Sequence, residues 1–399
     1  MTSKTNLGME QEFLLIDNHG YVVNNADDIL NDNDNREICV AEATHAQVEV
    51  NSSPADSITQ LELDLQARYT ALEKVCAKHQ VVPLPASEFG AKNARSRSGK
   101  ARYDIYELIL GKENNDKTNT ISGIHIHYSI IPGFEVEQYS LLQALDPLSY
   151  AISSTSPFRY DGVNSLNCHR VNLVRHDAFR DFPLHSKLQN YPTSMAELDS
   201  RNDKRFQEWQ RASGLSSNEF SKFFTPENTG YAPIRKRPSI GATGTFEVRT
   251  CDTTPLDIAL AISALYKGVL EASIDQRKIS ISNNDTYHLY PAIRLPHLKT
   301  LLSLERMAIK QGMGDSHIRS YAQQALFLAR EGLPCDEHKY LQPIQEMIQT
   351  GENPATKLIK YLRESDQYAP QLTLPARAKA NLFIRSLYKR SLNHDHECY

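Results

Sequence analysis

Four short stretches of the chain place side chains that bind hard cations two residues apart, each within an alternating apolar pattern. They are GMEQEFLLID with Glu10 and Glu12, THAQVEVNSSP with Glu49 and Glu42 just upstream, SGIHIHYSI with His125 and His127, and TGTFEVRTCD with Glu247 and Arg249. Residues i and i+2 of a strand share a face. Ala46, Val48 and Val50 therefore lie opposite Gln47, Glu49 and Asn51; Ile124, Ile126 and Tyr128 lie opposite the two histidines; Phe246 and Val248 lie opposite Glu247. One E-x-E strand is ordinarily a solvated face of an antiparallel sheet. Four of them predict a sheet with one greasy face and one lined by acids and imidazoles. Acids that close repel one another, and burying them unpaired is costly. Oxygen-rich ligands with histidine and no thiolate favour Mg²⁺ or Mn²⁺, and Mg²⁺ commonly shares its coordination with substrate phosphates. Nucleotide chemistry follows as an expectation.

The elements around these strands predict an α+β fold: a curved antiparallel sheet flanked by helices, followed by a helical C-terminal portion. Ser57 and Gln60 suggest a capping box opening a helix to about His79, with Ile58, Leu61, Leu65, Leu72 and Cys76 on its apolar side. Residues 139–157 read as a helix, and FRYDGVNSLNCHRVNLVR as a loop and strand. Thr254 and Pro255 mark the start of a helix to about Ala272. From about residue 275 four segments show helical periodicity, three of them ending near a glycine. The chain divides on this reading into a catalytic domain, 1–275, and a helical portion, 276–399, packed on it. Residues 91–104 form a basic loop, either a solvated surface or a lid over anionic substrates. His394, His396 and Cys398 read as a frayed terminus, His45 and His169 as surface or hydrogen-bonded histidines, and Trp209 as a packing residue.

Composition excludes several classes. The 399 residues are 40% hydrophobic and 23% charged, with a mean hydropathy of −0.49, a net charge of −4 and a pI near 6.4. Nothing in that balance calls for nucleic acid. No segment has the length of a membrane span, and MTSKTN lacks the apolar core of a signal peptide. Six dispersed cysteines without C-x-x-C spacing predict reduced thiols and a cytoplasmic protein. The expected partners are small molecules, with homo-oligomerisation left open.

GMEQEF, the run from Glu42 to Glu49 ending in VEVNSSP, GIHIHYSI, SSTSPF and GTFEVRTCDTTPLD together resemble the glutamate–cysteine ligase type 2 family of carboxylate–amine ligases, within the glutamine synthetase superfamily. The resemblance covers roughly residues 7–275. It implies a glutamine synthetase-like catalytic domain that uses Mg²⁺ and ATP to join a carboxylate, commonly glutamate, to an amine such as cysteine. By the same resemblance Glu12, Glu42 and Glu49 would hold one metal, and Glu10, His125 and Glu247 a second that bridges to the nucleotide. His127 would lie by the ATP phosphates, Arg249 and Arg237 would face the phosphates and acyl group, and Ser156 and Arg170 would fall in the amino-acid region. Arg102 and Tyr103 resemble the segment preceding the H-x-H strand. The chain departs from the superfamily in two ways: Arg235 and Lys236 stand where an acid often precedes the Arg-Pro pair, and Thr245 stands where glutamine synthetases place an arginine. A guanidino-kinase-like phosphotransferase, an amide hydrolase and a non-catalytic nucleotide-binding relative are the competing readings.

Overall fold

The computed structural model describes residues 5–35, 37–87, 94–97, 101–159, 162–163, 166–274 and 279–392. Seven strands form one antiparallel sheet that does not close into a barrel: β1 (Leu7–Ile16), β2 (Val40–Ala41), β3 (Gln47–Asn51), β4 (Val82–Leu84), β5 (Gly123–Ser129), β6 (Ile234–Arg237) and β7 (Thr245–Asp252). Their order is β2-β3-β1-β5-β7-β6, with β4 pairing to the far end of β1. All four strands expected from the alternating pattern are present. A parallel pair, β8 (Ile279–Ile281) and β9 (Ile293–Leu295), stands apart.

The predicted greasy face is fully buried at Phe13, Val48, Val50, Ile124, Ile126, Tyr128, Phe246 and Val248. Each such side chain contributes about 1.5–3 kcal/mol on leaving water. The helices Ile58–Lys78, Glu135–Ser153 and Leu256–Ile274 cover this face, and Ser316–Gly332 packs outside the last of them. Ser57 caps its helix by accepting from the Gln60 amide at 3.1 Å. Gln11 is a polar residue within the greasy face; it donates to Thr253 Oγ1 at 3.1 Å and to the Thr254 carbonyl at 2.8 Å, and accepts from the Tyr69 hydroxyl.

The acid face is not continuous along β1. Beyond Glu12 the same side carries Leu14 and Ile16, both fully buried against Leu84, Phe158, Leu358, Leu362 and Ile384. The helices Pro354–Glu364 and Leu374–Leu392 therefore wall off one end of the polar surface.

Two expectations need correction. The segment after Cys168 is not a strand: His169–Asn172 is a helical turn that passes into a π-helix, Leu173–Ala178. Its less buried positions, Asn172 and His176, recur at helical spacing while Val171, Val174 and Arg175 are buried. The basic loop is shorter than expected, because Ala101–Leu110 is a helix that carries Arg102 and Tyr103. Residues 91–93 and 98–100, like His394, His396 and Cys398, lie outside the described residues. The helix expected over 139–157 spans Glu135–Ser153. Cys39, Cys76, Cys168, Cys251 and Cys335 are unbridged, and no helix among the described residues is long and apolar enough to cross a membrane.

The helix Met195–Ser213 buries Trp209 against Phe179, whose ring is stacked 6.0 Å away, and His185, stacked at 5.1 Å. Burial, with Arg205 adding repulsion, pushes the His185 imidazole down from its ordinary 6.5 to about 3. Glu208 Oε2 lies 3.2 Å from its Nε2 but makes no aligned hydrogen bond, so burial decides. The unfolded chain binds this proton first, so the contribution is intact above pH 6.5 and is lost as pH falls towards 3. His185→Phe is expected to flatten the acid side of the stability curve by about 2 kcal/mol between pH 6.5 and 5. Urea unfolding of both proteins at pH 5 and 7 checks this; parallel losses would refute it.

Candidate active site

The register of the sheet gathers the acids. Glu12 sits opposite Glu49 and Glu10 opposite His125 on the neighbours of β1, while His127 and Arg235 flank Glu247 from either side of β7. Glu42 enters from the loop after β2, its carboxylate folded back onto the Ala43 amide at 3.1 Å. Three groups of ligand atoms result, each lying within 4.8 Å of one another: Glu12 with Glu42 and Glu49, Glu10 with Glu49 and His125, and Glu10 with His127 and Glu247. The geometry thus puts His127 beside Glu10 and Glu247, and links the groups through Glu10 and Glu49.

The charge state of each carboxyl follows from its surroundings. Burial raises Glu42, and Glu12 and Glu49 push it further up; burial also raises Glu49, aided by Glu10 and Glu12. Glu12 is raised by burial despite the offsetting charge of Arg170 and the Gly123 amide, which donates to it at 2.6 Å. Glu10 behaves oppositely: hydrogen bonds from His125 Nδ1 (3.0 Å) and His127 Nε2 (3.2 Å) outweigh burial and hold it far below the usual range. Burial would likewise raise Glu247, but Arg249 and Arg235 overcome it and keep the carboxylate ionised. These donors fit hard divalent cations: five carboxylates and two imidazoles with no thiolate in any of the groups, three of the acids being raised by burial and by one another.

Three guanidinium groups converge on Glu247. Arg249 Nη1 donates to Oε1, Arg237 Nη1 lies 3.3 Å from Oε2, and Arg235 Nη1 lies 3.6 Å from Oε2. Arg249 also lies over the Tyr231 ring at 5.4 Å, and the Tyr231 hydroxyl donates to the Arg249 carbonyl at 2.6 Å. Planar guanidinium groups suit phosphate and carboxylate oxygens.

A bulge shapes the rest. Between the pairs Ile124–Cys251 and Ile126–Val248, β7 carries one residue more than β5. Cys251, which strict alternation would set beside Arg249, joins the core instead, and Asp252 turns to accept from Ser156 Oγ at 2.6 Å. Ser156 is fully buried and also accepts the Arg170 backbone amide at 3.2 Å, so it reaches the site through Arg170. Arg170 lies directly over Gly123; a Cβ there would stand 2.1 Å from its Nη2. Nη2 donates to the Arg249 carbonyl at 3.3 Å, whereas Nε and Nη1 are buried without a partner among the described residues.

Three participants escape the sequence reading. Arg235 is visible there only as a departure, yet it faces Glu247. Thr245, another departure, lies two residues before Glu247 on the same strand, so the i+2 rule already placed it on that face; its Oγ1 is 3.0 Å from His127 Nδ1. Tyr231 sits in a loop where no periodicity announces it.

An open antiparallel sheet with an acid-lined face and C-terminal helices is the fold of glutamine synthetase-like ligases. The glutamate–cysteine ligase of Francisella tularensis, solved with AMP, superposes with a TM-score of 0.62 at 12% identity over 99% of this chain and 95% of that one. The bifunctional glutathione synthetase of Pasteurella multocida superposes with a TM-score of 0.65 at 11% identity over 97% of this chain, which spans 53% of that longer protein. No curated protein matches the chain in sequence. The chain belongs to glutamate–cysteine ligase family 2, whose sequence pattern matches residues 6–374. It is an ATP-dependent carboxylate–amine ligase.

Proposed function

We propose that the chain joins glutamate, through a carboxylate group, to an amine, with cysteine the favoured acceptor, by way of an acyl phosphate. The observation that carries this reading is the linkage of three ligand groups through Glu10 and Glu49, with three arginines at one end of the row and Arg170 near the other. Glu12, Glu42 and Glu49 would hold one Mg²⁺ or Mn²⁺, and Glu10, His125, His127 and Glu247 the remainder; bound there, such ions neutralise phosphate oxygens and the crowded acids.

A carboxylate alone acylates poorly because its leaving group would be oxide. Attack of its oxygen on the terminal phosphorus of ATP releases ADP and forms an acyl phosphate, whose leaving group is phosphate. Phosphoryl transfer depends mainly on positioning and charge stabilisation. Arg249, Arg237 and Arg235 lie where they would receive phosphate oxygens, and the two unpartnered nitrogens of Arg170 suit a substrate carboxylate. The amine then attacks the acyl carbon, phosphate leaves, and the amine gives up a proton.

The test is ADP and phosphate release from Mg²⁺·ATP with glutamate and a panel of amines, followed by product masses. Amine-dependent ADP release with a condensed product is the expected result. ADP formed with a phosphorylated product, and with neither free phosphate nor a condensed product, would replace this reading with a phosphotransferase.

A further inference from the structure

The back of the edge strand β6 holds a buried cation that no anion among the described residues answers. On the helix Met195–Ser213 the core-facing stripe runs Leu198, Arg205, Trp209. Arg205 therefore lies on the buried stripe of a helix whose other positions beside it, Arg201, Asn202 and Glu208, are polar, and it is 9% exposed. Its Nη2 donates to Asn202, and its Nε is buried with no partner. The charged side chains around it are otherwise engaged. Arg201 pairs with Glu197, Lys236 pairs with Asp199 at 2.8 Å, and Lys187 donates to the Arg180 carbonyl at 3.0 Å. Among the described residues no carboxylate reaches Arg205, and Arg201 adds a like charge beside it. Burying an uncompensated guanidinium costs several kcal/mol.

Arg205 borders a cavity of about 20 Å³ walled by Tyr139, Leu198, Pro233 and Ile234, with Arg201 and Lys236 at its rim. That volume holds about one water-sized body. It suits a single-atom anion. We propose that Arg205 and this cavity form a halide site, filled by chloride in the working protein. The site is separate from the acid face: Ile234 and Lys236 border it, while the alternate residues Arg235 and Arg237 face Glu247 on the other side of the same strand. Chloride there neutralises Arg205 and braces the strand that presents two of the three arginines.

The experiment is thermal unfolding of the full chain at constant ionic strength, exchanging gluconate for chloride, bromide or phosphate, in the wild type and in Arg205→Met. The quantity read is the difference between the two proteins, which cancels the general effect of each salt. The expected result is a saturable rise in wild-type Tm of about 2 °C or more with chloride and with bromide, absent in Arg205→Met. Equal Tm values in chloride and gluconate, or an increment retained by the variant, would overturn the proposal. A rise confined to phosphate would also overturn it, by refuting the size argument. If Arg205→Met does not fold, ³⁵Cl NMR of the wild type decides: excess chloride linewidth relieved by added bromide supports the site, and its absence refutes it.

Discussion

Replacing Glu10 by Gln is expected to lower amine-dependent ADP release by about 10³-fold or more while leaving the fold intact. Glu10 belongs to two of the three ligand groups and accepts from both histidines of β5. Glutamine keeps the volume and one accepting oxygen, so the imidazoles stay oriented. It removes the negative charge that two neighbouring positions share. Some stability should go with the charge, because the two imidazoles hold the Glu10 carboxylate far below its ordinary pKa, offset in part by relief of its repulsion of Glu12 and Glu49. Steady-state ADP release and a thermal melt on the same preparation are the measurements. Activity within tenfold of the wild type would remove the metal-site reading.

The largest expected loss of stability lies at Arg175. Its Nη2 donates to both oxygens of Asp146, at 2.9 and 2.8 Å, its Nη1 to Glu305, and its guanidinium lies 5.4 Å from the centre of the Tyr150 ring. All three charged groups are essentially without water. The network ties the π-helical turn to the helices Glu135–Ser153 and Leu298–Gln311. Arg175→Leu removes the buried cation facing Asp146, leaves Glu305 with His176 at 3.2 Å as its remaining charged partner, and is expected to cost about 3–5 kcal/mol. Chemical denaturation followed by circular dichroism measures it, and a loss below about 1 kcal/mol would show that water or repacking compensates. Arg170 stands five residues earlier in the same helical segment, so the variant should also raise KM for the carboxylate substrate.

The strands that build the site were legible because two of their properties coincide: period-two alternation and side chains with metal-binding chemistry. Glu10, Glu12, Glu49, His125, His127 and Glu247 declare their shared face by spacing alone. Glu42 stands out in the sequence only as an acid just upstream of Glu49, and its part in the site comes from the resemblance, since two-residue β2 leaves no periodic trace. What the sequence hid depends on contacts between distant segments. The bulge opposite His125 shifts Cys251 into the core, a change that strict alternation cannot show. The turn at 173–178 was misread as a strand because a short apolar run suits either structure. Its helical form follows from Arg175 meeting Asp146 and Glu305, which stand 29 and 130 residues away. Leu14 and Ile16 continue the alternation of Glu10 and Glu12, yet helices more than 300 residues later cover them.

That cover sets an order of events during synthesis. β1 lies in the middle of the sheet and leaves the ribosome early, but Leu14 and Ile16 are sheltered by residues 358–384, and the Gly20 carbonyl waits for Asn381, 361 positions on. Contacts of such span slow folding and leave partly made chains with exposed apolar surface. A nascent chain thus carries its acid-lined strand with that strand's apolar end bare until residues 358–384 have followed. Chaperone demand should accordingly be greatest before the last helix emerges.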